Sequence, residues 1–264
     1  MMTNRLENKV ALVFGAGSVG EGWGNGKAAA VAYAREGAKV MVVDLHGKAA
    51  EQTCQIILNE NGVCSYRTAN VTNSGDVQKV ITDTIKEFGQ IDILHNNVGL
   101  AQMGGIIDLP EEDWEKAINV NLKSVYLTMK CVLPHMVERK TGSIINISSL
   151  ASIRFTGYPY PAYSAAKASV NHLTSVVALE YASYGIRVNA ILPGLIDTPL
   201  IYKDIAGQYD SVEEMVAARN ASCPMGRMGT AWDIAQASVF LASDEANFIT
   251  GVCLPVDGGH SIRS

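Results

Sequence analysis

Short apolar runs alternate along this chain with longer segments in which apolar residues recur at helical spacing. The short runs predict strands, and apolar positions three and four apart predict helices with one buried face. The predicted strands span 9–14, 39–43, 63–69, 91–94, 143–147, 187–192 and 252–256. The predicted helices span 27–36, 49–59, 77–88, 111–136, 163–181 and 231–241.

The predicted strands show little polar alternation, which is typical of strands buried on both faces of a parallel sheet. Their regular exchange with helices predicts a single-domain α/β fold with a doubly wound, Rossmann-type parallel sheet in three α/β/α layers. In such sheets, ligands bind beyond the carboxyl ends of the strands. One irregular stretch, 196–227, interrupts the alternation, and we expect it to form a lid over the ligand site.

The composition narrows the class of protein. Of the 264 residues, 48% are hydrophobic, and the net charge of −5 argues against nucleic acid as a partner. The chain has neither an apolar run of about 18 residues nor a leader-like start, so we expect no membrane association. Five scattered cysteines and five histidines show no metal-ligand spacing, which predicts a reduced, cytoplasmic protein without a metal site.

A glycine-rich turn, GAGSVGEGWGNGK over 15–27, follows the first predicted strand. Such a motif also occurs in flexible surface loops, but between a strand and a helix it lets a pyrophosphate approach the backbone closely. Asp44 ends the second predicted strand, where a carboxylate can bind both adenosine ribose hydroxyls and repel a 2′-phosphate. We therefore predict NAD rather than NADP as cofactor. The structural alternative is that Asp44 caps the following helix.

Tyr163 and Lys167 are four residues apart in a predicted helix and therefore share one helix face. A nearby ammonium stabilises a phenolate, which makes Tyr163 a candidate general acid and base. Such a pair alone is common on protein surfaces. Ser149 and Asn97, however, each follow a predicted strand at the same sheet edge, where a serine hydroxyl can hydrogen-bond a substrate oxygen.

Taken together, these features resemble the short-chain dehydrogenase/reductase family along nearly the whole chain. The resemblance rests on the glycine turn, Asn96-Asn97-Val98-Gly99, Asn121, Ser149, Tyr163 with Lys167, Asn189, Pro193-Gly194 with Thr198, and Asp257-Gly258-Gly259. It implies a NAD-dependent oxidoreductase that transfers a hydride between a secondary alcohol and the corresponding ketone.

The resemblance also implies a catalytic tetrad. Tyr163 would exchange a proton with the substrate oxygen, and Ser149 would orient and polarise that oxygen. Lys167 would lower the pKa of Tyr163 and bind the nicotinamide ribose. Asn121 would hold a water molecule that links Lys167 to bulk solvent.

The same resemblance implies the contacts to NAD and the assembly of the protein. Helices 111–136 and 163–181 would meet their symmetry mates in a homotetramer or homodimer. Ile196 and Thr198 would meet the nicotinamide carboxamide, and Asn70 and Val71 would flank the adenine. The full set of cofactor contacts is Gly15, Ser18, Gly24, Gly26, Asp44, Asn70, Val71, Asn97, Gly99, Tyr163, Lys167, Pro193, Gly194, Ile196 and Thr198.

The chain departs from the family pattern at three points. Phe14 replaces the usual threonine, and the glycine turn is five residues longer, with 19–23 as the insertion. Ser149 and Tyr163 are fourteen residues apart, one more than usual. A longer turn and a Tyr-x6-Lys pair, here Tyr160 and Lys167, are typical of the related enoyl reductases. An NAD-dependent enoyl reductase and a non-catalytic NAD-binding regulator are therefore the alternative functions.

The predicted substrate pocket is mainly apolar and aromatic. The lid carries no cluster of Arg or Lys, which favours a neutral cyclic alcohol, a sugar or a hydrophobic ketone over a phosphorylated or carboxylated substrate. The expected substrate contacts, besides the lid residues 200–225, are Ser149, Leu150, Phe155, Tyr158, Tyr160, Tyr163 and Leu195.

Overall fold

A computed structural model describes residues 4–263 and contains a seven-stranded parallel sheet in the order β3-β2-β1-β4-β5-β6-β9. These strands are β1 Val10–Phe14, β2 Lys39–Asp44, β3 Cys64–Thr68, β4 Ile93–Asn96, β5 Gly142–Ile147, β6 Ile186–Pro193 and β9 Cys253–Val256. Two further strands, β7 Ile196–Asp197 and β8 Gly229–Thr230, pair with each other. The prediction of a doubly wound, Rossmann-type sheet is confirmed.

The helices cover both faces of this sheet. They are α1 Asn25–Arg35, α2 Gly47–Asn59, α3 Ser74–Phe88, α4 Glu111–Ile118, α5 Ser124–Arg139, α6 Pro161–Tyr181, α7 Pro199–Asp204, α8 Val212–Ser222 and α9 Ala231–Ala242. In the part of the chain that the structure describes, none of them is long and apolar enough to cross a bilayer.

The central strand β1 explains why the sheet is buried on both sides. Its residues alternate between two apolar cores, with Ala11 and Val13 in one and Leu12 and Phe14 in the other. The first core lies under α1 and α9, and the second lies under α3, α5 and α6. Each fully buried large apolar side chain contributes about 1.5–3 kcal/mol, so both helix layers are held firmly to the sheet.

The predicted helix 111–136 differs from the observed one in its middle. A π-helical segment, Asn119–Lys123, lies between α4 and α5, and helical structure continues to Arg139. Strand β4 begins two residues later than predicted and ends on Asn96, a buried polar residue. The Asn96 Nδ2 donates a hydrogen bond to Asn146 Oδ1 of β5 at 2.9 Å, which allows both amides to be buried at the sheet.

The irregular stretch 196–227 is tied to the rest of the fold at both ends. It leaves the sheet through β7, which pairs with β8 at Ile196 and Gly229 just after the stretch ends. Helices α7 and α8 lie between these strands and enclose a small apolar cluster of their own, which contains Ile201, Ile205 and Met215.

Candidate active site

A cavity of about 400 Å³ opens at the carboxyl ends of the central strands. Because parallel strands present their carboxyl ends at one edge, residues far apart in sequence meet there. Most of the residues predicted as the site line this cavity, namely Gly15, Ser18, Gly24, Asp44, Asn70, Val71, Asn97, Gly99, Ser149, Leu150, Tyr158, Tyr160, Tyr163, Lys167, Pro193, Gly194, Leu195, Ile196 and Thr198.

The glycine turn folds so tightly that three of its glycines, Gly15, Gly17 and Gly26, have no room for a side chain. Gly15 adopts φ +76°, and a Cβ on it would lie 2.9 Å from Val98 Cγ2. A Cβ on Gly26 would lie 2.0 Å from the carbonyl oxygen of Gly15. Asn97 Nδ2 donates a hydrogen bond to the same oxygen at 2.9 Å and fixes the turn against the end of β4.

Gly26 therefore has a different role from the predicted one. It is buried at the start of α1 and is absent from the cavity wall, because the backbone of Gly15 passes directly over it. Glycine at position 26 allows this crossing, which in turn brings the backbone of Gly15 and Gly17 to the cavity. The resulting backbone cradle beside a helix N-terminus fits the pyrophosphate of a dinucleotide.

The extra residues of the turn are anchored to helix α9. The Trp23 ring packs on the Trp232 ring with centroids 4.7 Å apart. Lys27 Nζ lies 4.9 Å from the centroid of the Trp23 ring and donates a hydrogen bond to the Gly22 carbonyl at 3.0 Å. The lengthened turn is thus a packed structure rather than a free loop, although Glu21 and Gly22 at its tip remain exposed.

Asp44 lies between the glycine turn and helix α2. Its Oδ2 accepts a hydrogen bond from Gly17 N at 2.9 Å, and its Oδ1 accepts one from His46 N at 3.0 Å. The residue at the N-terminal boundary of α2 is His46, so Asp44 does not cap that helix. The carboxylate instead braces the turn while it lines the cavity.

Ser149, Tyr163 and Lys167 come together at the end of β5. The Ser149 side chain lies near enough to the Tyr163 hydroxyl to affect its pKa, and Lys167 Nζ lies 5.7 Å from the centroid of the Tyr163 ring. Lys167 is only 2% exposed and donates a hydrogen bond from Nζ to the Ile147 carbonyl at 2.8 Å. Pro161 at the first turn of α6 starts the helix that sets Tyr163 and Lys167 on one face.

Burial dominates the electrostatics of this pair. It raises the pKa of Tyr163 to about 12, and the nearby Ser149 side chain offsets only part of that rise. Burial also lowers the pKa of Lys167 to about 8, because an ammonium loses solvation inside the protein. Desolvation of the phenolate thus dominates the pKa of Tyr163 in the protein alone, and its acidification by Lys167 stays a prediction.

Asn121 lies behind the cavity wall rather than in it. Its side chain is fully buried at the π-helical segment. Oδ1 accepts a hydrogen bond from Leu100 N at 3.0 Å, and Nδ2 donates to the carbonyls of Leu100 and Ala117 at 2.9 and 2.8 Å. Both amide protons thus go to the backbone. The side chain clamps the loop after β4 onto the helix, and its role in holding a water molecule stays a prediction.

Phe155 does not line the cavity, contrary to the prediction. Its side chain is 77% exposed, because the loop before α6 turns it outward ahead of Gly157 at φ +92°. The next residue, Thr156, faces the cavity instead and shares a hydrogen bond between its hydroxyl and that of Tyr160.

The irregular stretch 196–227, the predicted lid, brings a residue to the cavity that the sequence analysis missed. Arg219 of α8 is 5% exposed and lines the cavity together with Ile201 and Ile205. Met215, Arg219 and Cys223 are four residues apart and are all buried. Residues four apart lie on the same helix face, so this spacing could have predicted that the Arg219 side chain is buried.

Comparison with known proteins is consistent with this arrangement. A family model described as "Enoyl-(Acyl carrier protein) reductase" matches residues 20–261. A 2-(S)-hydroxypropyl-CoM dehydrogenase from Xanthobacter autotrophicus is 38% identical over 98% of both chains. A 3-oxoacyl-[acyl-carrier-protein] reductase from Thermotoga maritima is 36% identical over 97% of this chain and 98% of its own.

A solved structure resembles the whole molecule. It is described as a putative short-chain dehydrogenase/reductase from Burkholderia xenovorans, shares 42% identity, and superposes with a TM-score of 0.95. The match covers 98% of this chain and 99% of the other. The chain belongs to the short-chain dehydrogenase/reductase family. It is an oxidoreductase of a family that uses nicotinamide cofactors.

The tight crossing in the glycine turn yields a testable consequence. We expect Gly26→Ala to destabilise the protein by about 1–3 kcal/mol and to weaken NADH binding, because the new methyl group would displace the Gly15 backbone. Gly20→Ala is the matched control in the same turn, since its Cβ would meet only Pro199 Cβ at 3.5 Å. Urea denaturation and NADH fluorescence titration measure both effects. Equal behaviour of the two variants would contradict the proposed role of the crossing.

Proposed function

We propose that this protein is a NAD-dependent oxidoreductase that transfers a hydride between a secondary alcohol and the corresponding ketone. The observation that carries the proposal is the placement of Ser149 near Tyr163 in the cavity wall, beside the buried Lys167. All three residues line the cavity that also contains the glycine turn and Asp44. One cavity therefore contains a proton donor, a hydroxyl that can bind the substrate oxygen, and a backbone cradle for a dinucleotide.

Each side chain has a definite task in this reaction. When bound, the nicotinamide supplies or accepts the hydride. Tyr163 donates the proton to the carbonyl oxygen during reduction and removes it from the alcohol during oxidation. Ser149 hydrogen-bonds the same oxygen and holds it against the phenol.

Lys167 supplies positive charge at a fixed point beneath Tyr163. Its bond to the Ile147 carbonyl holds Nζ in place, and its remaining N–H groups are available to ribose hydroxyls. A Cβ on Gly99 would lie 3.3 Å from Lys167 Nζ and 3.2 Å from Asn121 Oδ1, so a side chain there would crowd both groups. Asn121 thus lies next to Lys167, behind the cavity wall, and serves as a positioning residue of the tetrad.

The acidic end of the cavity favours NAD over NADP. Asp44 lines the cavity next to the glycine turn, where its charge would repel a 2′-phosphate. Among the described residues that line the cavity, the only Lys and Arg side chains are Lys167 and Arg219, on α6 and in the lid. Neither lies on the turn or the strand end that flanks Asp44.

The alternative function is reduction of an enoyl substrate, which the description of the matching family model names. That reading would give Tyr160 the role of proton donor. The hydroxyl of Tyr160, however, is hydrogen-bonded to Thr156, and Ser149 lies near Tyr163. The geometry therefore favours carbonyl chemistry, and the complete Ser149, Tyr163 and Lys167 set argues against a binding protein without turnover.

We further propose that the protein acts in the cytoplasm as a homotetramer or homodimer. In the described part of the chain all five cysteines are free thiols, which fits a reducing compartment. Exposed apolar side chains on α5 and α6 support an assembly through these helices, namely Tyr126, Val176 and Leu179.

A pair of tyrosine substitutions separates the two reactions. Tyr163→Phe is expected to lower kcat for ketone reduction by about 10²–10⁴-fold while NADH still binds, because the proton donor is removed and the ring is kept. Tyr160→Phe keeps the Tyr163 hydroxyl and is expected to cost far less. Steady-state rates and NADH fluorescence give the comparison. The reverse order of the two losses would favour the enoyl reductase.

Cofactor choice gives a second prediction. Asp44→Asn keeps the size and shape of the side chain but removes its charge, so the ratio of kcat/KM with NAD to that with NADP should fall about tenfold or more. Glu21→Gln is the matched control, because Glu21 is an exposed acid of the same turn that does not line the cavity. If the ratio stays unchanged in Asp44→Asn, this carboxylate does not select the cofactor.

A further inference from the structure

Arg219 is a buried cation in the wall of the catalytic cavity, and the proposed proton transfer does not use it. It belongs to α8 of the lid, is 5% exposed, and lines the same cavity as Tyr163. A guanidinium stays charged at every accessible pH and is costly to bury without an anionic partner. A buried guanidinium therefore needs a group that compensates its charge.

Among the side chains that the structure describes, neither hydrogen-bond partner of Arg219 is a carboxylate. Its Nη1 donates a hydrogen bond to the Tyr158 hydroxyl at 3.0 Å, and its Nε donates to Met228 Sδ at 3.3 Å. No carboxylate among the side chains that the structure describes forms an ion pair with it. By contrast, the exposed lid residue Arg227 pairs with Asp233 at 3.7 Å.

The tyrosines around Arg219 do not neutralise it. The Tyr158 hydroxyl is hydrogen-bonded to that of Tyr209 at 2.8 Å. Burial raises the pKa of Tyr209 to about 12, so this phenol is neutral at physiological pH. The surrounding lid residues Ile201 and Ile205 are buried and apolar, and such surroundings strengthen any charge–charge attraction that replaces water.

A short row of aromatic rings links Arg219 to the reacting phenol. Tyr158, which accepts the hydrogen bond from Arg219, stacks on Tyr160 with ring centroids 5.8 Å apart. Tyr160 meets Tyr163 edge-on with centroids 5.2 Å apart. Because Arg219 and Tyr163 line the same cavity, one substrate can contact both residues.

We infer that the substrate carries a carboxylate, which Arg219 binds while Ser149 and Tyr163 hold the carbonyl or hydroxyl group at the other end. The inference rests on the proposed function and narrows it to keto acids and secondary hydroxy acids. The planar guanidinium fork matches a carboxylate in shape and charge. The expectation of a neutral substrate, which was based on the lack of a basic cluster in the lid, is replaced, because one buried cation suffices for one carboxylate.

The test uses matched acid and ester pairs with the full-length protein. NADH-dependent reduction of 3-oxobutanoate, 4-oxopentanoate and 5-oxohexanoate is compared with that of their methyl esters, by NADH absorbance. For the best of these acids, the acid-to-ester ratio of kcat/KM should exceed one in the wild type. It should fall about 30-fold or more in Arg219→Met, since loss of one partner of a buried charge pair costs at least about 2 kcal/mol.

Arg227→Met is the matched control, because it removes an exposed arginine from the same lid, and it should keep the wild-type ratio. An unchanged ratio in Arg219→Met would overturn the inference. Equal losses for acid and ester would give this result and would show that Arg219 serves only to hold the lid.

A binding measurement keeps the inference separate from the proposed reaction. Calorimetric titration of 4-oxopentanoate and its methyl ester into the wild type and Arg219→Met, each with NADH, needs no turnover. Tighter binding of the acid that is lost in Arg219→Met supports the carboxylate site even if no ketone is reduced. Equal binding of acid and ester to the wild type overturns it.

Discussion

The candidate active site depends on one buried contact, the hydrogen bond from Lys167 Nζ to the carbonyl oxygen at the end of β5. This bond fixes an ammonium group under the cavity floor and thereby fixes helix α6 against the sheet. Tyr163, one helical turn earlier, is then held near Ser149, which lies two residues after the end of the same strand. The placement of the phenol is a consequence of the sheet rather than of a flexible loop.

The same burial sets the electrostatic state of the site. Desolvation raises the pKa of Tyr163 to about 12 and lowers that of Lys167 to about 8, so the protein alone favours a neutral phenol. A phenolate at neutral pH needs further positive charge in the cavity, which an oxidised nicotinamide provides. In the proposed oxidation of an alcohol, Tyr163 can therefore act as a base only when the oxidised cofactor is bound. Arg219, elsewhere in the cavity wall, is a second buried charge, and we infer that it binds a carboxylate of the substrate.

The sheet and most of the site could be predicted because the apolar runs mark its strands and polar motifs follow the strand ends. The direction of side chains within irregular loops could not be predicted. For that reason Phe155 was predicted to line the cavity, whereas its neighbour Thr156 lines it. Gly26 was assigned to the ligand although its freedom serves a backbone crossing. The burial of Arg219 was not predicted, because a single arginine in an irregular stretch gives no sign of its direction. The direction follows only from the structure, which shows which face of α8 is buried.

The most direct measurement is the ionisation of Tyr163, followed by ultraviolet difference absorbance between the wild type and Tyr163→Phe, with and without NAD. Between pH 6 and about 10 the protein without NAD should show no tyrosinate signal from this residue, because burial holds its pKa well above that range. With NAD bound, a tyrosinate signal should appear within the range. A signal without NAD, or none with it, would contradict the idea that the cofactor's charge activates a buried phenol.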